Sequence, residues 1–328
     1  MSTGFIYHDR FLEHETGPTH PERPERLRAI CDRLRQDHLW DELTHLPFSP
    51  AARKWIARLH SPHYIDRVFA ACEAQHHYID TPDSPISRHS AEIAQLAVGG
   101  VLAAVDAVHA QYVHNAFCAV RPPGHHAERD RSMGFCLFNN IAIAAEYLIA
   151  HHGYERIAIV DFDVHHGNGT QHLFEDRADV LFISLHEHPS HLYPGTGYVH
   201  ERGTSAGEDH TLNLPLDPHD GDERYRHVFQ AQVLPRLREF APQFLLLSAG
   251  FDAAAEDPLA HMNVSPQGFE WMTRQLKETA ESLCNGRLVS ALEGGYHLRA
   301  LAESVSLHVG VLLEDTGHDG MMGMKAGI

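Results

Sequence analysis

The sequence predicts an α/β protein built on a parallel β-sheet with helices on both faces. Three observations carry this. Short apolar, β-rich runs alternate with helical patterns from the second quarter of the chain onward, the alternation that builds parallel sheets. The first four of five such runs are nearly continuous in apolar residues, as strands covered on both faces must be. Polar residues capable of chemistry stand immediately after those runs, at the carboxyl ends of the strands, where open α/β sheets carry their sites.

The candidate strands are residues 116–120, 156–163, 180–186, 244–249 and 288–293. Helices fit between and around them. Residues 92–110 are rich in Ala and Val, and residues 139–152 end at Gly153, a natural C-terminal stop. Ser265 followed by Pro266 opens a helix towards Cys284, with Gly286 just beyond its end, and Leu298 to Leu313 form the last helix. With no repeat, low-complexity stretch or linker-like break, residues 1–316 read as one domain. Residues 317–328, rich in Gly and Met, read as a flexible tail.

Lys plus Arg number 26 against 44 Asp plus Glu, a formal charge of −18 with no basic run to offset it. That argues against nucleic acid and anionic membrane surfaces as partners. The five cysteines, Cys31, Cys72, Cys118, Cys136 and Cys284, show no CxxC pair and no regular spacing, which suits reduced thiols in a cytoplasmic protein. The N-terminus has no apolar leader, and no run approaches 18 apolar residues, so no membrane span is expected.

Residues 161–169 read DFDVHHGNG at the end of the second candidate strand. Strand alternation points Asp163 and His165 the same way. Asp252, in SAGFD at the end of another strand, offers a third ligand. Two carboxylates and an imidazole, with a position left for water, describe a catalytic zinc site, whereas structural zinc usually takes cysteine. A lone Asp-x-His at a strand end is more often a loop cap; three strand ends bearing acids or histidines together are not explained that way.

His125 and His126 follow the stiff turn Arg121-Pro122-Pro123-Gly124. Amide hydrolysis needs a group that takes a proton from water and later delivers one to the leaving amine, and histidine does both near neutrality. Asp161 and Asn168 are candidate orienting acceptors. An Asp partner favours imidazolium at one ring, and an Asn partner leaves the other more easily switched. The pairs His76-His77 and His151-His152 read as solvated loop or helix-end residues. Tyr296, after Glu293-Gly294-Gly295, is a candidate hydrogen-bond donor to a developing oxyanion. Gly134-Phe135 and the segment from Tyr193 to Gly197 offer aromatic walls.

Taken together, RPPGHHA (121–127), GFCLFNN (134–140), DFDVHHGNGTQ (161–171), YPGTG (193–197), SAGFDA (248–253) and EGGY (293–296) resemble the histone deacetylase family, class II-like branch. GPTHPERPERL (17–27) and HSPHY (60–64) extend the resemblance over roughly residues 4–313. It implies the arginase–deacetylase fold, with an eight-stranded parallel sheet flanked by helices. It implies zinc on Asp163, His165 and Asp252, His126 as general base and acid, His125 as its electrostatic partner, and Tyr296 as oxyanion donor. His125 would pair with Asp161 and His126 with Asn168. Gly134, Phe135, Tyr193 and Gly294 would line the acyl-lysine channel. Two structural potassium ions are also implied, one at Asp161, Asp163, His165, Ser184 and Leu185, the other near Phe174, Arg177 and Val180. Asn168 marks the class II branch. Tyr296, where a weakly active branch has His, implies full activity.

The implied substrate is an acetylated lysine side chain or a small acetylated amine. Polyamine-selective relatives carry a glutamate where this chain has Leu259, so acetyl-lysine is expected over acetylpolyamines. Two other readings are a dimanganese ureohydrolase, because SAGFDAAAEDP superficially matches SxDxDxxDP, and a non-catalytic acyl-lysine binding module. Gly250 stands where the second acid of the ureohydrolase motif would fall.

Overall fold

In the computed structural model, which describes residues 2–315, eight strands form one sheet. They are β1 (Thr3–Ile6), β2 (Thr44–His45), β3 (Asn115–Cys118), β4 (Ile157–Asp161), β5 (Val180–Glu187), β6 (Thr211–Leu216), β7 (Phe244–Ala249) and β8 (Leu288–Leu292). Their order is β2-β1-β3-β8-β7-β4-β5-β6, and every neighbouring pair is parallel.

The central strands β3, β8, β7, β4 and β5 are buried along their whole length, which is why their sequences lack alternation. Their ends lie level. Asp161 pairs with Ser184 on one side and Ser248 on the other, Ser248 pairs with Ala291, and Ala291 pairs with Cys118. Five loops therefore leave the sheet side by side.

The helices Glu25–Gln36, Pro266–Cys284 and Leu298–Leu313 pack together, and Ser90–His109 packs with Asn140–His152. Asn139 and Ser265 cap their helices by accepting from Ala142 N and Gly268 N, respectively. The helix from Pro266 ends on Asn285 in the left-handed region, one residue before the expected Gly286. The helix Ser90–His109 is long and apolar enough to cross a bilayer, but 72% of its most apolar window is buried inside the protein. It is a core helix.

Three strands escape the sequence pattern. Strands β1 and β2 are four and two residues long, too short for periodicity to register. Edge strand β6 reads TLNLPL, and its Pro215 argues against a central strand while being tolerated at an edge. The tail expected at 317–328 lies outside the described residues.

Candidate active site

Strand β4 ends at Asp161, two residues earlier than expected, so Asp163 and His165 do not converge by strand alternation. A loop pinned by its own carboxylates brings them together. Asp161 Oδ1 accepts from Asp163 N (3.1 Å), and Asp163 Oδ1 accepts from His165 N (2.9 Å). Asp252 Oδ1 accepts from Val164 N (2.9 Å), and Asp163 Oδ2 from Gly294 N (2.7 Å). The ligand atoms of Asp163, His165 and Asp252 lie within 4.8 Å of one another, the one group of this kind found among the described residues.

The donor set fits a divalent cation. His165 Nδ1 stands 3.0 Å from Asp163 Oδ1 and 3.2 Å from Asp252 Oδ2. Asp252 Oδ2 is buried, yet no hydrogen bond of good geometry reaches it. Burial and then the Asp163 carboxylate hold Asp252 above its usual range, while against burial the two carboxylates push His165 up to about 10. Like charges crowded in a dry pocket with an acceptor left over are what a bound cation relieves. Space is tight around them. A Cβ on Gly250 would come 2.1 Å from Asp163 Oδ2, and one on Gly294 would come 1.9 Å from Asp252 Oδ2. Gly294, expected on the channel wall, instead packs against the carboxylates. Gly250 leaves no room for the acid that a dimanganese site would put there.

The two histidines have opposite surroundings. His125 Nδ1 meets Asp161 Oδ2 at 2.9 Å, and burial, which pulls its pKa down, is outweighed by Asp161, Asp163 and Glu293. His126 Nδ1 meets Asn168 Oδ1 at 2.7 Å; burial, His125 and His165 hold it well below its usual value. Asn168 Nδ2 donates to Glu128, which fixes the amide with its oxygen towards His126. His126 therefore donates through Nδ1 and keeps Nε2 as an acceptor. The rings are 4.0 Å apart, so charge on the first opposes charge on the second. Glu293 anchors the turn beneath them, accepting from Gly124 N (2.7 Å), His125 N (3.2 Å) and Ser248 Oγ (3.1 Å).

Above this floor lies a cavity of about 210 Å³ lined by Asp83, His126, Gly134, Phe135, His165, Leu192, Tyr193, Leu259 and Tyr296. That is smaller than the roughly 300–1,000 Å³ of common ligand pockets and suits a single alkyl chain. Gly134 (φ 57°) and Phe135 (φ 69°) are both left-handed, a strained state for Phe135. A Cβ on Gly134 would strike the His126 ring at 2.2 Å. Phe135 stands edge-on to Tyr296 at 5.7 Å, and Tyr193 edge-on to His126 at 5.1 Å.

The residues expected around potassium fall in two places. Asp161 and Ser184 are register partners in β4 and β5, with Leu185 next in line. Phe174 ends the helix Asn168–Phe174, Val180 opens β5, and Arg177 between them pairs with Asp179 and Glu146.

Sequence reasoning missed several contributors. Asp83 lines the cavity, and its Oδ2 accepts from Gly134 N at 3.2 Å. Glu22, Arg26 and Arg121 form a buried ion cluster in which Arg26 Nε donates to Gly295 O at 2.6 Å, just before Tyr296. His166 joins the Asp163–His165 loop to Thr196 (2.8 Å) and Gln171 (2.9 Å). Asp257 accepts from Tyr296 N at 2.7 Å. Their roles are set by partners distant in the chain, so the sequence around each left no local signal of them.

Comparison with known proteins agrees with this geometry. A histone deacetylase domain model matches residues 20–312. A probable deacetylase of Archaeoglobus fulgidus is 40% identical over 97% of this chain and 88% of its own length. The polyamine deacetylase HDAC10 of Homo sapiens is 38% identical over 96% of this chain and 48% of its own length. The crystal structure of the HDA15 HD domain superposes with a TM-score of 0.91 at 39% identity, covering 95% of this chain and 88% of that one.

Proposed function

The chain belongs to the histone deacetylase family, whose members act on acetylated amines or lysines, and from that premise we propose that it is a zinc-dependent amidohydrolase releasing acetate from acetyl-lysine side chains. The observation that carries this is the buried Asp163, His165 and Asp252 set, with the unpartnered Asp252 Oδ2, at the floor of a cavity walled by His126 and Tyr296. Zinc held by those three residues supplies Lewis acidity towards the acyl oxygen and the attacking water.

The chain's own groups do the rest. His126 Nε2 is the free base of a neutral ring, fixed in that tautomer by Asn168. It takes the proton from water and passes it to the leaving amine. His125, held as imidazolium by Asp161, keeps the field near the reacting carbonyl positive. Tyr296, with burial holding its phenol protonated, donates to the oxyanion. Phe135 and Tyr193 exclude water along the alkyl chain. Two potassium ions at the places named above, and a reducing cytoplasmic setting that suits five buried, unpaired cysteines, complete the proposal.

The rim supports acetyl-lysine over acetylpolyamines, because Leu259 gives a distal ammonium nothing to pair with. One observation favours the polyamine reading: Asp83 also lines the cavity. Its oxygens are already engaged by Gly134 N, Thr81 and Ser84, which weakens that reading. The test is kcat/KM for acetyl-lysine peptides beside acetylspermidine on zinc-loaded protein, with and without chelator. Full activity in metal-free protein sinks zinc dependence. A wild-type preference for acetylspermidine sinks the substrate assignment, and equal effects of Leu259→Glu on both substrates show that Leu259 does not set it.

A further inference from the structure

Two of the cavity's walls come from different loops: Leu259 from the loop after β7, and Tyr296 from the loop after β8. One side chain that does not line the cavity holds both. Asp257 is 6% exposed, and its Oδ1 accepts from Leu259 N at 3.0 Å while its Oδ2 accepts from Tyr296 N at 2.7 Å and His297 N at 3.3 Å. His297 in turn caps the helix Leu298–Leu313, accepting from Ala300 N at 3.3 Å. The carboxylate thus ties a rim residue, the tyrosine and a helix start to one point. We infer that Asp257 is a positioning residue for this reaction, setting the Tyr296 phenol and the Leu259 side chain together from outside the cavity.

The chemistry of the group explains why an acid is needed. Three backbone N–H donors converge on two oxygens, and only a carboxylate accepts at both. An asparagine must turn its NH₂ towards one donor set, leaving two donors face to face and a buried N–H unsatisfied. With its oxygen towards Tyr296 and His297 it keeps two bonds and releases Leu259. Alanine releases both loops.

The inference rests on the proposed role of Tyr296, and a double-mutant cycle tests it. Asp257→Ala is expected to lower kcat on an acetyl-lysine peptide about 10- to 100-fold, the scale of a misplaced catalytic group. In the Tyr296→Phe background the same change is expected to cost less than about 3-fold, because the hydroxyl it positions is already gone. Equal losses in both backgrounds, or an unchanged kcat in the first, overturn the inference. Asp257→Asn carries the same cycle where alanine prevents folding. Hydrogen exchange gives a readout that needs no turnover: exchange in the Asn variant should quicken at the amides of Leu259 or Tyr296. Unchanged exchange at both overturns the inference, even if wild-type protein hydrolyses none of the acetylated amines and the functional proposal has failed by itself.

Discussion

Two buried clusters of charge meet at Tyr296, and only one of them is complete. Behind the ring, Glu22 accepts from both guanidiniums of Arg26 and Arg121, and Arg26 lies 5.0 Å from the ring centroid. The remaining N–H groups find carbonyls: Arg121 reaches Phe11 O and His14 O, and Arg26 reaches Glu293 O and Gly295 O. Against the cost of burial the arginines hold Glu22 down to about 2. On the cavity side, Asp163 and Asp252 face each other across a histidine, with no Arg or Lys among their ion-pair partners in the described residues. A cluster whose charges are all answered serves to fix the chain. A cluster left short of positive charge suits a cation, as a receptor for one would, and the difference lies in the partners, since both are buried.

The largest expected effect removes the receptor. Asp252→Asn keeps the oxygen that Val164 N needs but loses a charge, so acetate release should fall at least about 1,000-fold, the loss of several kcal/mol of metal assistance. Metal-free variant should melt no lower than metal-free wild type, because a crowded acid has gone. A melting temperature lower by several degrees would show this cluster to be structural like the other. Next comes Glu22→Gln, which strands two buried guanidiniums and should cost about 3–5 kcal/mol in urea unfolding. A cost under about 1 kcal/mol would erase the distinction.

Tyr296→Phe probes the boundary. It should lower kcat about 100- to 1,000-fold, or roughly 2.7–4 kcal/mol, with metal content and urea midpoint unchanged. A shifted midpoint would mean that the phenol supports the fold rather than the reaction.

Per residue and per pH unit, the smallest effect is the titration of buried histidines. Burial holds His14, beside Glu22, down to about 3, His308 to about 3, and His60 to about 4. A histidine lowered in the fold binds its proton first in the unfolded chain. Its stabilisation is complete above the unfolded value near 6.5 and is lost as pH falls towards the folded value. Each should remove about 1.4 kcal/mol per pH unit between roughly 6 and 4. Urea midpoints that stay level from pH 7 to 5 would contradict that burial.

The two clusters also differ in how far the sequence revealed them. Asp163, His165 and Asp252 stood out because acids and histidines ended apolar strands, although the loop and not strand alternation brings the first two together. Glu22, Asp257 and Asp83 did not, because their roles are acceptances from donors far away in the chain: Arg121 lies 99 positions from Glu22, and Tyr296 lies 39 from Asp257. Such pairings are properties of the fold, and only the level strand ends of β3, β8, β7, β4 and β5 create them. The same limit hid β6, whose Pro215 looks like loop until an edge is there to carry it.

Gly250 and Gly294 contribute no side chain, yet the backbone of each lies hard against the Asp163 and Asp252 carboxylates. The hollow at the centre of the site is shaped by atoms the chain omits. A single methyl group at either position would claim the volume in which Asp163 or Asp252 turns its oxygen, acting as a built-in competitor for the ion. Intolerance to alanine at these two positions would therefore trace the outline of an ion's berth more sharply than intolerance among the aromatic residues of the rim.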